Sequence, residues 1–203
     1  MLNVWYTRVP DERGEKKVAL RHLAGELLVR RFMRSRGYPD HYEIQKGEKG
    51  KPYVAGAESA HFNISHSGEF VAAAFSNKEV GIDIERRGRV RLDVAARFFH
   101  PEEVAALLAI PEERRARQLT DYWAIKESFL KYLGTGLSRP LSTFRVHMEK
   151  AGVFLYEEDT RLPVHVRPCP VGVSYSCFTC SETASRPRAT EVAWMDLYNK
   201  EWA

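Results

Sequence analysis

Three carboxylates and one amine carry the chemistry this sequence offers. In Val80-Gly81-Ile82-Asp83-Ile84-Glu85 apolar and acidic residues alternate, the pattern of a strand. On a strand Asp83 and Glu85 share one face, about 6–7 Å apart, with Ile82 and Ile84 on the other. Some forty residues on, Trp123-Ala124-Ile125-Lys126-Glu127-Ser128-Phe129-Leu130-Lys131-Tyr132-Leu133-Gly134 reads as the end of a helix. Its core face collects Tyr122, Ile125, Phe129, Tyr132 and Leu133, and the opposite face Trp123, Glu127, Lys131 and Gly134. Taken singly, the first motif is commonly a solvated strand edge and the second a surface Glu–Lys pair. Together they offer a hard cation such as Mg²⁺ a few carboxylates, with phosphate oxygens of a substrate completing its shell. Lys131 would add a point charge for those phosphates.

A second polar stretch is His61-Phe62-Asn63-Ile64-Ser65-His66-Ser67-Gly68, where Ser65 and His66 are candidates to meet a phosphate or ribose oxygen. A polar turn that satisfies its own backbone is the alternative. Further cations stand at Lys51, beside the turn Gly47-Glu48-Lys49-Gly50, and at Arg21, on the first long helix.

These residues need elements to position them. Asn3–Val9 reads as a strand and Glu15–Gly37 as a helix with the stripe Leu20, Leu23, Ala24, Leu27, Leu28 and Phe32. Tyr42–Gln45, Lys51–Ala55, His61–Ser65 and Phe70–Ser76 read as strands. After Val80–Glu85 come short helices at Leu92–Phe98 and Pro101–Ala109 and a long one at Arg114–Gly134. Thr143–Glu149, Gly152–Glu157, Val164–Arg167, Gly172–Thr179 and Glu191–Leu197 are candidate strands, and Ser181–Arg188 a loop. Each half runs strand, long helix, then a set of strands. The expectation is an α+β fold of two similar subdomains, 1–77 and 78–203.

Composition sets bounds. The 203 residues suit one large domain or two small ones, and 44% hydrophobic with 29% charged residues is ordinary for a globular protein. No apolar run approaches the ~20 residues of a membrane span. Met1–Tyr6 lacks the charged and apolar regions of a signal peptide, so a cytoplasmic location is expected. Cys169, Cys177 and Cys180 include one C-x-x-C, without a second to complete a zinc site; ordinary buried thiols are expected. The net charge of +4 suits an acidic protein partner or a polyanionic small molecule. No aromatic-basic interleaving points to nucleic acid.

G-I-D-I-E followed by W-x-x-K-E-S-x-x-K-x-x-G resembles the paired signature of the 4′-phosphopantetheinyl transferases, and F-N-I-S-H-S resembles a hallmark of their larger, Sfp-like type. The resemblance covers roughly residues 15–145. It implies two pseudo-symmetric α+β subdomains with the active site in the cleft between them. It also implies transfer of the 4′-phosphopantetheine arm of coenzyme A to a serine hydroxyl of an apo acyl or peptidyl carrier protein, releasing adenosine 3′,5′-bisphosphate. Mg²⁺ would lie on Asp83, Glu85 and Glu127. Lys131 would contact the phosphates, and Glu127 would serve as base, as metal ligand or as both. Arg21, in an R-x-L-x-G-x-x-L element, Lys51, in G-x-x-K-P, and Ser65 and His66 would line the nucleotide end. The chain departs from the larger members by keeping only Pro10–Lys17 of a longer basic segment.

Carrier proteins of this kind are acidic around the modified serine. Arg114, Arg115, Arg117 and Arg139 are candidates to steer one, with Leu133, Leu137 and Leu141 adding apolar contacts. The protein is expected to act as a monomer, without nucleic acid or membrane. Two rival readings are a Mg²⁺-dependent nucleotide or pyrophosphate hydrolase using the same carboxylates, and a non-enzymatic basic binding module.

Overall fold

The computed structural model describes residues 1–39, 42–47, 50–57 and 59–199. The elements in order are β1 (Asn3–Arg8), α1 (Gly14–Ser35), β2 (Ile44–Lys46), β3 (Pro52–Val54), β4 (His61–Ser67), β5 (Phe70–Ser76) and β6 (Val80–Arg86). They continue with α2 (Leu92–Phe98), α3 (Pro101–Ala109), α4 (Glu112–Leu133), β7 (Arg145–Glu149), β8 (Gly152–Glu157) and β9 (Thr160–Arg161). β10 (His165–Pro168), β11 (Tyr175–Ser181), β12 (Arg188–Glu191) and α5 (Trp194–Tyr198) close the chain. Glu48 and Lys49, inside the glycine-bounded turn expected before Lys51, lie outside the described residues.

The protein is α+β, with two larger sheets that each carry a 22-residue helix, α1 on one and α4 on the other, and a separate antiparallel pair of β2 and β3. The first sheet runs β12-β1-β5-β4 and the second β6-β11-β10-β8-β7, with β9 on β8. Strand alternation divides each sheet between two cores. Val71, Ala73 and Phe75 of β5 pack under Ala24, Leu27 and Leu28 of α1. Ala72 and Ala74 face the other way and meet Ile82 and Ile84 of β6, so the helix-free faces of the two sheets share a core. Phe178 and Cys180 of β11 join Ile125 and Phe129 of α4 in the third.

The two sheets adjoin along β4 and β6 without forming a backbone ladder. Alternate side chains of β4 take the place of a strand instead. Asn63 Oδ1 accepts from the N–H of Ile82 at 3.0 Å, Ser65 Oγ from that of Ile84 at 3.2 Å, and Ser67 Oγ from that of Arg86 at 3.0 Å. The buried N–H groups on this edge of β6 are thereby satisfied.

One sequence expectation changes. Glu191–Leu197 is not a strand: β12 ends at Glu191, and Trp194–Tyr198 is helical. Helical spacing lets Trp194 and Leu197 pack together against the α1 core, which an extended chain would not. β12 pairs in parallel with β1, at the edge of the first sheet. In the C-terminal half of α4, Ala124, Lys126, Ser128 and Leu130 are buried along with Ile125 and Phe129. The helix is wedged between β6 and β11 on one side and the Leu141–Phe144 segment on the other. The three cysteines are free and buried, as expected.

Candidate active site

Gly81 explains how a strand and a helix bring their polar groups together. A Cβ at this position would lie 2.1 Å from the carbonyl oxygen of Ser128 and 2.3 Å from the backbone nitrogen of Tyr132. Only glycine permits β6 to approach α4 this closely. Two residues along β6, Asp83 then sits under Lys131, and the two form an ion pair at 2.7 Å.

Ser65 completes this centre from the other half. Its hydroxyl donates to Asp83 Oδ1 at 2.9 Å and accepts from Lys131 Nζ at 2.8 Å and from the Ile84 N–H at 3.2 Å. One donor and two lone pairs are all that a hydroxyl has. Ser65 is therefore saturated inside the protein, and its hydroxyl ties β4, β6 and α4 to one point. Asp83 is only 6% exposed; its Oδ1 accepts two bonds, while its Oδ2 is buried with no partner among the described residues.

Glu85 repeats the motif one step along, accepting from Ser67 Oγ at 3.0 Å. Burial raises its carboxyl above the ordinary glutamate value, the Ser67 hydrogen bond opposes this, and Asp83 adds to the rise. Glu127, one turn before Lys131 on α4, has no hydrogen-bond or ion-pair partner among the described residues. Burial pushes its pKa up, Asp83 pushes further, and Lys131 pulls it back. Asp83, Glu85 and Glu127 thus feel one another electrostatically, yet no three acidic, His or Cys side chains among the described residues converge as a closed metal cage.

The four cations and polar groups expected at the nucleotide end do not share one place. Arg21 reaches the hairpin after β4, donating to the Gly68 carbonyl, and its Nε is buried without a partner among the described residues. His66 faces α1, its ring 6.2 Å from that of His22. Burial and then the Arg21 charge hold His66 below the usual histidine value. Lys51 lies at the opposite end of β4, roughly 20 Å of strand away. Its ammonium binds Glu79 at 2.5 Å and the Tyr132 carbonyl at 3.1 Å, and Glu79 also holds His61 Nδ1 at 3.0 Å. Ser65 stands between the two ends.

Several residues that build the site were not singled out from the sequence. Asn63 and Ser67 were legible in principle: with Ser65 they make a polar i, i+2, i+4 series on one strand face. Lys126 was not. It is fully buried against Glu103 at 2.9 Å and donates to the carbonyls of Leu141 and Phe144, both at 2.8 Å. Burial lowers its pKa to about 8, although Glu103 opposes the shift. Of the arginines expected to steer a partner, Arg115 is spent on the carbonyls of Leu107 and Ile110. Arg139 pairs with Glu157 at 2.8 Å, and Leu141 is core. Leu137 remains 70% exposed.

An α+β protein with an acidic pair on a strand, facing a Glu and a Lys on a long helix, defines a class with many relatives. Residues 79–180 match the family model described as the 4′-phosphopantetheinyl transferase superfamily, and residues 14–78 match one described as 4′-phosphopantetheinyl transferase, N-terminal. The chain is 35% identical to the 4′-phosphopantetheinyl transferase Sfp of Bacillus subtilis, over 90% of this chain and 83% of that one. It is 39% identical to psf-1 of Bacillus pumilus, over 75% and 65%. To the mouse L-aminoadipate-semialdehyde dehydrogenase-phosphopantetheinyl transferase it is 34% identical, over 57% and 42%. A TM-score of 0.41 at 23% identity relates 51% of the chain to 61% of the holo-[acyl-carrier-protein] synthase of Thermotoga maritima, too remote to carry an argument. The chain belongs to the 4′-phosphopantetheinyl transferase superfamily. No helix among the described residues is long and apolar enough to cross a membrane.

Proposed function

We propose that this enzyme transfers the 4′-phosphopantetheine arm of coenzyme A to a serine hydroxyl of an apo carrier protein. The serine oxygen forms a bond to the phosphorus that bears the arm. The bond from that phosphorus to the bridging oxygen breaks, and adenosine 3′,5′-bisphosphate leaves with the electron pair. Phosphoryl transfer of this kind needs positioning and charge neutralisation more than covalent help. The observation that carries the reading is the Ser65–Asp83–Lys131 centre, built from both halves of a chain that belongs to this family.

Each residue has a role in this reading. Lys131 offers its ammonium to the pyrophosphate while Asp83 and Ser65 hold it in place. Glu127 takes the serine proton: it stands one turn from Lys131, has no hydrogen-bond or ion-pair partner among the described residues, and has a pKa raised by burial, which suits a proton acceptor. Arg21 and His66 serve the nucleotide end, and Lys51 bounds the cleft at the other end of β4. A Mg²⁺ ion fits the acidic set, since Asp83 has a buried oxygen without a partner and the donors are hard carboxylates. Asp83, Glu85 and Glu127 would hold it, with phosphate oxygens completing the shell. Bound there, it would neutralise charge on the leaving bisphosphate. The acceptor class proposed is an acidic acyl or peptidyl carrier protein, and the enzyme acts as a monomer in the cytoplasm.

Product analysis tests this reading. With coenzyme A, Mg²⁺ and an apo-carrier, adenosine 3′,5′-bisphosphate should form in equal amount to holo-carrier and should not form without carrier. Bisphosphate released at the same rate without carrier would make the enzyme a hydrolase.

A further inference from the structure

One carboxylate outside the acidic centre ties the two halves of the chain together. Val80, Ile82 and Ile84 of β6 point into the shared core, so Glu79, Gly81 and Asp83 alternate toward the other face. Gly81 lies against the backbone of Ser128 and Tyr132, and Asp83 holds Lys131. Glu79, immediately before β6, meets the first half instead. One of its oxygens accepts from Lys51 Nζ at 2.5 Å, and the other lies 3.0 Å from His61 Nδ1. Lys51 also donates to the Tyr132 carbonyl at 3.1 Å, at the C-terminal end of α4. The backbone cap there, from Gly134 and Thr135, takes the carbonyls of Lys131 and Leu130, both at 3.2 Å. The next carbonyl of the helix is thus capped by an ammonium from the other half of the chain, where a cation also suits the helix dipole. The Lys51 stem runs past Gly134, where a Cβ would lie 3.5 Å from Lys51 Cδ.

We propose that Glu79 is a positioning residue for the transfer: by clamping Lys51 on the last turn of α4 it sets the place of Lys131, without touching the substrate. The inference rests on the transferase reading, which gives Lys131 the pyrophosphate, and it deepens that reading. Tyr132 follows Lys131 directly, so a displacement at the Tyr132 carbonyl passes to the Lys131 backbone. Ser65 and Asp83 hold the ammonium end of Lys131, at 2.8 and 2.7 Å, and the Glu79–Lys51 clasp holds its backbone end. A lysine is a point charge on a flexible stem, so both ends must be fixed for the charge to sit in one place. The same flexibility applies to Lys51, and the Glu79 carboxylate, itself held by His61, narrows where the Lys51 ammonium can sit. The side chains of Lys51 and Glu79 are 21% and 45% exposed, so the pair adds little to stability and its effect is on placement.

Steady-state rates and a double-mutant cycle test this role. Glu79→Ala removes both contacts at a partly exposed position. Its kcat for transfer to an apo-carrier should fall roughly tenfold to a hundredfold, since a displacement of about 1 Å made far from the chemistry can cost that much. KM for coenzyme A should stay as in the parent. Because Glu79 acts through Lys131, the same substitution made in a Lys131→Met enzyme should lower the rate no further. Should Glu79→Ala melt early, Glu79→Gln, which keeps the shape, should show part of the same loss and the same dependence on Lys131. Parental kinetics overturn the proposal. So does a change of KM for coenzyme A in either direction with kcat kept, because Glu79 would then govern a nucleotide contact of Lys51. An equal further loss in the Lys131→Met enzyme overturns it as well, since the effect would be a general loosening of the fold. Carrier mass measured with the parent enzyme reports the transferase reading separately: transfer without these kinetic effects fails the clasp alone, and absence of transfer fails the reading beneath it.

Discussion

Lys131 Nζ lies 2.7 Å from Asp83 Oδ1 and 2.8 Å from Ser65 Oγ, so one ammonium on α4 joins the strand edges of both halves. Changing Ser65→Ala would leave the Ile84 N–H without its partner and Asp83 with one bond fewer. A buried group deprived of its hydrogen bond costs about 1–3 kcal/mol. The variant should unfold at lower denaturant and should also lose turnover, because Lys131 and Asp83 lose their common anchor. Chemical denaturation read beside steady-state rates checks both effects. A stable variant with parental rates would remove Ser65 from the site.

Asp83→Asn keeps the shape of the side chain and removes its charge. In the proposed mechanism it should lower turnover by at least ~10²-fold, since a bound metal supplies several kcal/mol of transition-state stabilisation. Circular dichroism should show a folded protein. Near-parental turnover would contradict the role given to Asp83.

Glu127 should show its raised pKa in two ways. A carboxyl whose pKa is higher in the folded than in the unfolded chain adds stability only while protonated, and loses it as pH rises through the folded value. At neutral pH the charged Glu127 therefore destabilises the fold. Glu127→Gln should be more stable than the parent at neutral pH, with an advantage that fades below the ordinary glutamate range. As a base, Glu127 should also be worth roughly 10²–10⁴-fold in rate, with the acidic limb of the pH–rate profile lost in the variant. Rescue by high Mg²⁺ with that limb intact would leave it a metal ligand alone and remove the base role. Melting curves and rates across pH decide among these outcomes.

Much of the site could be read from residue types and spacing. The Asp83–Glu85 face, the helix carrying Glu127 and Lys131, and the α+β class all follow from period-2 and period-3.6 patterns. What could not be read depends on distant segments meeting. Nothing near Lys126 in the chain predicts that Glu103 and two carbonyls would enclose it. Lys51 is placed at the nucleotide end by its G-x-x-K-P element, and its partners Glu79 and Tyr132 are brought to it only by the fold. Residues 194–198 carry aromatic and apolar side chains that suit a strand, but docking on α1 makes them helical.

Lys126 and Glu103 make a distinct prediction about stability. Removing either partner from a buried ion pair leaves an uncompensated charge, at a cost of about 3–5 kcal/mol, whereas replacing both by apolar residues is often nearly neutral. Lys126→Met and Glu103→Leu should each be strongly destabilised and the double variant much less so. Additive losses in urea titrations would show that the two do not act as a pair.

Intact-mass measurement of the acceptor tests the central claim most directly. Enzyme, coenzyme A and Mg²⁺ are mixed with an apo-carrier, and in parallel with the same carrier whose acceptor serine is replaced by alanine. The account predicts that the first carrier gains the mass of one phosphopantetheine arm, that the alanine carrier gains nothing, and that the gain is nearly lost with Asp83→Asn. A carrier whose mass does not change with the parent enzyme, across acyl and peptidyl carriers alike, would contradict it.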